Sequence, residues 1–136
     1  MEQINNIIVS LLAIANFAKD IHYNCKGESF YSKHLLADRI EENLSDYIDQ
    51  IKEVFFMAAG KKPLSSIHYL RMAAEQIPEL ASADKDNFES MQKLLIKALE
   101  NIEDLKNLTK GEENLIGAIA QDLQTSLALV NFQIKD

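Results

Sequence analysis

The sequence is poor in residues that break helices or cross-link chains, with two prolines, four glycines and one cysteine among 136 residues. It also has no tryptophan. The single Cys25 excludes an intrachain disulfide, and the few prolines and glycines leave few points at which a long helix must end. Hydrophobic residues make up 47% of the chain, which is ordinary for a globular protein. We therefore expect one all-α domain over residues 1–136.

Targeting and membrane signals are also missing. The opening residues, MEQINN, lack the basic n-region of a signal peptide. The longest apolar run, from Ile7 to Ala18, is interrupted by Ser10 and Asn16 and is too short to cross a bilayer. These features predict a cytoplasmic protein without a membrane segment.

Positive charge is scarce. Lys and Arg number 14 against 21 Asp and Glu, which gives a formal net charge of −7 and opposes the phosphate contacts on which non-specific nucleic-acid binding depends. Lys61 and Lys62 form the only adjacent basic pair, and MEQINN has no basic residue. We expect no DNA binding at physiological salt, and instead a surface that attracts cations.

Two pairs of potential metal ligands stand out in the segment from residue 22 to residue 53. His34 and Asp38 are four positions apart, as are Asp49 and Glu53, so each pair projects from one face of a helix. Both pairs share that face but lie about 16 Å apart along the axis, too far to bind one ion within a chain. A second, antiparallel copy, related by a two-fold axis between Asn43 and Leu44, would set His34 against Glu53 of the partner subunit. Such a mixture of imidazole and carboxylate suits iron, manganese or zinc.

The same segment resembles the signature of the Dps family, the DNA-protecting mini-ferritins. The matching residues are His22-Tyr23-Asn24, Gly27, Phe30, His34, Asp38, Asp49, Glu53, Gly60 and Pro63. The resemblance implies a ferritin-like four-helix bundle with metal sites between subunits. It implies that His22, His34 and Asp38 of one chain bind iron together with Asp49 and Glu53 of its two-fold mate. One position departs from the family, because Tyr23 stands where a tryptophan is usual.

The resemblance also implies a function. Ferrous iron would be oxidised by hydrogen peroxide or dioxygen, and ferric oxide would collect inside a hollow dodecamer built from two-fold dimers. Zinc or manganese could take the place of iron as substitutes. A different class of function stays open, namely a non-catalytic structural or interaction protein that keeps the dimer surface and has lost turnover.

Apolar residues at three- and four-residue steps predict long helices over residues 4–24, 29–59 and 112–134, and a further helix that starts at Asp84 and is closed by Thr109-Lys110-Gly111. A short helix over residues 65–76 is expected in the connection before Asp84, whose length implies a crossover along the bundle. The core stripe predicted for the second helix is Phe30, Leu36, Ile40, Leu44, Tyr47, Ile51 and Phe55. Tyr31, Leu35 and Phe56 fall on or beside its acidic face, which suggests burial against the dimer partner.

Other candidate ligands receive structural interpretations. Cys25 is interpreted as a small, partly buried hydrophobe, and His68 as a packing or surface histidine. The acids of the last two helices are interpreted as solvated charges; they are Glu100, Glu103, Asp104 and Asp122. No histidine follows a glutamate by three positions, so an iron centre inside a single bundle is not expected. A glycine-rich phosphate loop and a nucleophile-base constellation are also absent from the sequence.

Overall fold

The computed structural model describes residues 1–135, and these form a helical bundle. The helices are α1 (Glu2–Asn24), α2 (Phe30–Glu41), α3 (Leu44–Ile51), α4 (Ser66–Gln76), α5 (Asp84–Glu103) and α6 (Lys110–Ile134), with a π-helical segment at Lys52–Met57. The four arms of the bundle are α1, the rod formed by α2, α3 and the π-helical segment, α5, and α6. The short α4 lies in the connection between the second and third arms, so the predicted four-helix bundle with an extra helix is confirmed.

Helix α1 is the centre of the bundle because it is apolar on most of its circumference. It packs against α2, α3, α4 and α5, and Ile7, Ile8, Leu11 and Ile14 are completely buried. By length and composition alone α1 could cross a membrane, yet 61% of its most apolar window is buried inside the bundle. Its hydrophobicity is therefore used in the core, which gives the neighbouring helices a common surface to pack on.

The second arm is not one unbroken helix, and the prediction of continuity over residues 29–59 is wrong. Helix α2 ends at Glu41 and α3 begins at Leu44. Asn43, at the break, has φ −101° and ψ −2°, which departs from the helical values near −63° and −42°. The arm continues beyond the break because the Tyr47 amide donates to the Asn43 carbonyl at 3.0 Å.

A π-helical segment explains a second departure from the predicted core stripe. The wider turn shifts the side chains by one position, and as a result the consecutive Phe55 and Phe56 are both buried, at 2% and 3% exposure. Phe56 therefore belongs to the core and not to the acidic face. Phe30, predicted in the core, is instead 43% exposed and lies at the first position of α2, where its ring stacks on His34.

The junction between the last two helices also differs from the prediction. Helix α5 ends at Glu103, and Thr109 does not close it but caps the start of α6. The Thr109 hydroxyl accepts from the Glu112 amide at 3.2 Å, while the Glu112 carboxylate accepts from the Thr109 amide at 2.9 Å. This reciprocal capping box satisfies two amides that would otherwise lack partners. The pattern Thr-x-x-Glu was visible in the sequence and marks a beginning, not an end.

Candidate metal centre

The reversal between α1 and α2 brings His22 and His34 into contact. His22 lies in the last turn of α1, and His34 in the second turn of α2. The chain turns back within residues 25–29, where Gly27 has φ +74° and Ser29 has φ +61°. Glycine adopts such a positive φ at little cost, so Gly27 permits the tight reversal, whereas Ser29 adopts a left-handed conformation that is uncommon outside glycine.

Each imidazole is hydrogen-bonded to the backbone carbonyl of the other histidine. His22 Nδ1 lies 3.0 Å from the carbonyl oxygen of His34, and His34 Nδ1 lies 2.8 Å from the carbonyl oxygen of His22. A carbonyl only accepts, so both Nδ1 atoms carry a proton. In the neutral state each Nε2 therefore keeps its lone pair, which is the arrangement a metal-binding histidine needs. The rings stack with centroids 3.6 Å apart and an interplanar angle of 22°.

Aromatic side chains flank this histidine pair on both sides. The Phe30 ring stacks on His34, with centroids 5.3 Å apart, and Tyr23 meets His22 edge-on at 5.1 Å. Phe30 and Tyr23 remain exposed, at 43% and 73%, while both histidines are half-buried. The imidazoles thus have restricted ring orientations but stay open to the surface.

The predicted carboxylate ligands all lie on the surface. Asp38, one turn after His34, is exposed, as are Asp49 on α3 and Glu53 in the π-helical segment. Within residues 1–135, no group of three His, Cys, Asp or Glu side chains lies close enough to hold a metal ion. A single chain therefore presents a histidine pair with a nearby aspartate on α2, and a separate carboxylate pair beyond the break at Asn43.

A small hollow joins His22 to Asp38. It has a volume of about 100 Å³ and is lined mainly by α1 and α2, including Lys19 and Glu41. Lys19 Nζ lies 3.2 Å from the Glu41 carboxylate. The hydrogen bond to Glu41 and the charge of Glu41 raise the pKa of Lys19, so the ammonium stays charged at the edge of the hollow.

Asp84 connects the start of α5 to both ends of the α1–α2 reversal. Its Oδ2 accepts from the Lys26 amide at 3.0 Å and from Lys33 Nζ at 2.9 Å. Lys33 Nζ also donates to the Lys26 carbonyl at 3.1 Å, which closes a ring of three hydrogen bonds. Burial raises the pKa of Asp84, but the hydrogen bonds from Lys26 and Lys33 and the charges of these lysines outweigh it and leave the pKa below its usual value. Sequence reasoning missed this group, because Asp84 lies more than 50 positions from either lysine.

Cys25 lies beneath the reversal and is 6% exposed, so the small hydrophobe expected to be partly buried is fully buried. Its sulfur lies 3.9 Å from the carbonyl oxygens of His22 and Phe30. Burial, followed by the charge of Asp84, raises the pKa of the thiol. The neutral form is therefore favoured at this position. His68 is exposed on α4, and the interpretation of His68 as a packing or surface histidine is confirmed.

Asp122 corrects the prediction of solvated acids on the last two helices. Its carboxylate lies 2.8 Å from Arg39 Nη1 and accepts from Asn43 Nδ2 at 3.3 Å, with only 15% of its side chain exposed. Burial, then the charge of Asp122 and a hydrogen bond to it, raise the pKa of Tyr47. Asp122 thus contacts α2 through Arg39, the break through Asn43 and α3 through Tyr47. The other three acids, Glu100, Glu103 and Asp104, are exposed as predicted.

Comparison with known proteins gives the class of this architecture. No protein-family model matches the chain, and no curated protein matches it. Among solved structures, a mutant of Mycobacterium smegmatis Dps1 superposes with a TM-score of 0.80 at 16% identity, over 98% of this chain and 93% of that one. The chain has the Dps fold, a ferritin-like four-helix bundle.

A second structure with the Dps fold extends the comparison. The DPS protein of Vibrio cholerae O1, described as a member of a broad superfamily of ferritin-like diiron-carboxylate proteins, superposes with a TM-score of 0.68 at 18% identity. The match covers 98% of this chain and 87% of that one. Both comparisons confirm the predicted fold over nearly the whole chain. A fold by itself carries no activity, so the function rests on the residues described above.

Proposed function

We propose that this protein binds ferrous iron and oxidises it at sites shared between two-fold-related subunits, as a mini-ferritin. The observation that carries the proposal is the pair of reciprocal hydrogen bonds between His22 and His34. These bonds use the Nδ1 protons and leave two adjacent Nε2 lone pairs at a half-buried surface. A pair of surface histidines that served only solubility would have no need of fixed tautomers.

Each chain supplies two halves of the site. His22, His34 and Asp38 form the nitrogen-rich half, and Asp49 with Glu53 forms the carboxylate half beyond the break. The halves of one chain cannot meet on one ion, so a partner chain must complete each site. Exposed apolar side chains support such a contact, because Tyr31 and Leu35 on α2 are 69% and 45% exposed and lie beside the histidine pair. Burial of these side chains against a second copy would stabilise the dimer.

The residues fit iron as the substrate. Imidazole nitrogens and carboxylate oxygens suit ferrous iron, and carboxylates also suit the ferric product. Each ferrous ion gives one electron, so two ferrous ions reduce one hydrogen peroxide to two waters with the uptake of two protons. Full reduction of one dioxygen to two waters takes four electrons from four ferrous ions, with the uptake of four protons. Zinc has no redox chemistry and would act only as a competitor for the site. The net charge of −7 favours the approach of cations to the assembled protein.

The test is iron-dependent consumption of hydrogen peroxide by the purified protein. Wild type should consume peroxide in proportion to added ferrous iron, and Asp38→Ala should lose most of this activity because it removes a ligand. Asp46→Ala is the matched control, since Asp46 is an exposed acid on α3 outside the proposed ligand set, and it should behave as wild type. A wild-type protein no faster than iron in buffer would instead support the non-catalytic structural or interaction protein.

A further inference from the structure

The hydrogen bonds around Asp84 act on the same short segment that brings the histidines together. His22 and His34 belong to different helices, and their relative position depends on residues 25–29. Ser29 has φ +61° in this segment, a conformation that costs free energy for a non-glycine residue and needs support from its surroundings. The α1–α2 reversal is therefore a place where outside contacts decide the geometry.

Asp84 supplies such contacts from another arm of the bundle. It bonds Lys26 at the beginning of the reversal and Lys33 just after its end, and Lys33 closes the ring by donating to the Lys26 carbonyl. The Lys33 and Asp84 side chains are only 16% and 10% exposed, so water competes weakly for these bonds. Lys33 directly precedes His34. The ring of hydrogen bonds therefore fixes the α2 backbone next to His34, whose carbonyl and imidazole both contact His22.

We propose that Asp84 is a positioning residue for the metal site, which holds the His22–His34 pair in its stacked, reciprocally bonded arrangement through Lys26 and Lys33. The inference rests on the proposed function for the identity of the histidines as ligands. Asp84 does not itself contact the metal. Its loss should free the reversal, separate the rings part of the time and weaken metal binding without removing a ligand.

The first measurement is a titration of the intact, metal-free assembly with cobalt(II), followed by its visible absorption. Cobalt(II) accepts the same imidazole and carboxylate ligands and stays unoxidised under these conditions. Asp84→Asn should weaken cobalt binding about tenfold, at the lower end of the loss seen when groups that orient metal ligands are removed. Asp86→Asn is the matched control, because it removes the same charge from the same first turn of α5 at an exposed position. It should stay within about twofold of wild type.

Two further variants separate positioning from general damage. Lys33→Met removes the same ion pair from its other end and should also weaken cobalt binding, which keeps the proposal testable if Asp84→Asn folds poorly. Asp84→Glu restores the carboxylate and should recover part of the affinity. Wild-type affinity in both Asp84→Asn and Lys33→Met would overturn the proposal, and so would an equal loss in Asp86→Asn.

A second measurement needs no metal. Amide hydrogen exchange of the metal-free protein, read by mass spectrometry over residues 25–35, should be faster in Asp84→Asn than in wild type and unchanged in Asp86→Asn. If wild type binds no cobalt, the proposed function fails, and the exchange result alone decides whether Asp84 holds the reversal. Unchanged exchange in Asp84→Asn would overturn the positioning role in either case.

Discussion

At the scale of single residues, the histidine pair is defined by where its protons are. Both Nδ1 atoms donate to a carbonyl, so the atoms left for a metal are the two Nε2 atoms, held by stacked rings. Neutral imidazoles tolerate this stacking, whereas two imidazolium ions in contact would repel each other. The pair is therefore suited to binding a cation only in its neutral state.

Metal affinity should fall as the pH is lowered, because protons compete with the metal for the Nε2 lone pairs. We expect cobalt binding to be strongest near pH 8 and to weaken steadily toward about pH 5. His34→Ala should abolish most binding at every pH, whereas His68→Ala, which changes an exposed histidine on α4, should leave the profile unaltered. A wild-type affinity that does not change over this range would show that the histidines are not ligands.

Asp84 should make stability depend on pH in the acidic range. Its pKa in the folded protein lies below the usual 3.8, so the folded state favours the carboxylate and gains stability above that pH. The gain is lost as pH falls through the lowered pKa. Asp84→Asn should lower the free energy of unfolding by about 1–2 kcal/mol at pH 7, and the difference from wild type should shrink below about pH 4.

Urea unfolding at a fixed protein concentration measures this difference, and Asp86→Asn serves as the control because it changes the charge of α5 without touching the reversal. A gap between wild type and Asp84→Asn that stays constant from pH 7 to pH 3 would contradict an ionised, hydrogen-bonded Asp84 in the folded state. Equal destabilisation by Asp86→Asn would assign the effect to the helix dipole instead.

At the scale of elements, the break between α2 and α3 is held from α6. Asp122 pairs with Arg39 before the break and accepts from Asn43 within it, and Arg39 also donates to the hydroxyl of Ser126, one turn further along α6. The angle between α2 and α3 is therefore fixed by side chains of a third helix. This angle matters for the proposed function, because it sets the direction of Asp49 and Glu53 relative to the histidine pair.

Asp122→Ala should destabilise the fold more than an ordinary surface substitution. It leaves the Arg39 guanidinium and the Asn43 amide without their carboxylate partner, and hydrogen bonds to charged groups contribute about 1.5–3 kcal/mol. Because Arg39 is one-third exposed and water replaces part of the loss, we expect about 1–2 kcal/mol in urea unfolding. Gln124→Ala, an exposed position on the same helix, is the control, and a loss for Asp122→Ala no greater than for Gln124→Ala would show that α6 does not brace the break.

At the scale of the whole molecule, the proposed site requires two chains. Along the second arm His34 and Asp38 lie before the break and Asp49 and Glu53 lie beyond it, and exposed apolar side chains accompany the first pair. An antiparallel pair of these arms would join each half to its complement and produce two equivalent sites.

Mixing two inactive variants should therefore restore activity. His34→Ala and Glu53→Ala should each lose ferrous iron oxidation, but in a mixed dimer one site keeps both residues while the other lacks both. Co-assembled protein should regain up to half of the wild-type rate per mixed dimer, measured by peroxide consumption and with assembly confirmed by native mass spectrometry. As a control, His34→Ala co-assembled with Asp38→Ala, which lies in the same half, should stay inactive. Mixed His34→Ala/Glu53→Ala dimers without activity would refute the shared site.

The sequence alone determined the bounds of several helices and most of the candidate ligands. The spacing of apolar residues along α1, α4 and α6 defined helices whose observed bounds lie within two residues of those expected, because amphipathic periodicity is a local property. Spacing selected four of the five proposed ligands, and the resemblance to the Dps family added His22, which the structure places beside His34. The capping box at Thr109 is local as well, although Thr109-Lys110-Gly111 was interpreted as the end of the preceding helix.

Only the tertiary structure decided the rest. The contacts at Asn43, the pairing of Asp122 with Arg39 and the ring of hydrogen bonds around Asp84 all involve partners that lie far away in the sequence. No local pattern encodes such partners, since a carboxylate on a predicted helix looks the same whether it meets water or a buried lysine. The fixed tautomers of His22 and His34 belong to this class too, because they arise only when the α1–α2 reversal sets each imidazole against the other residue's carbonyl.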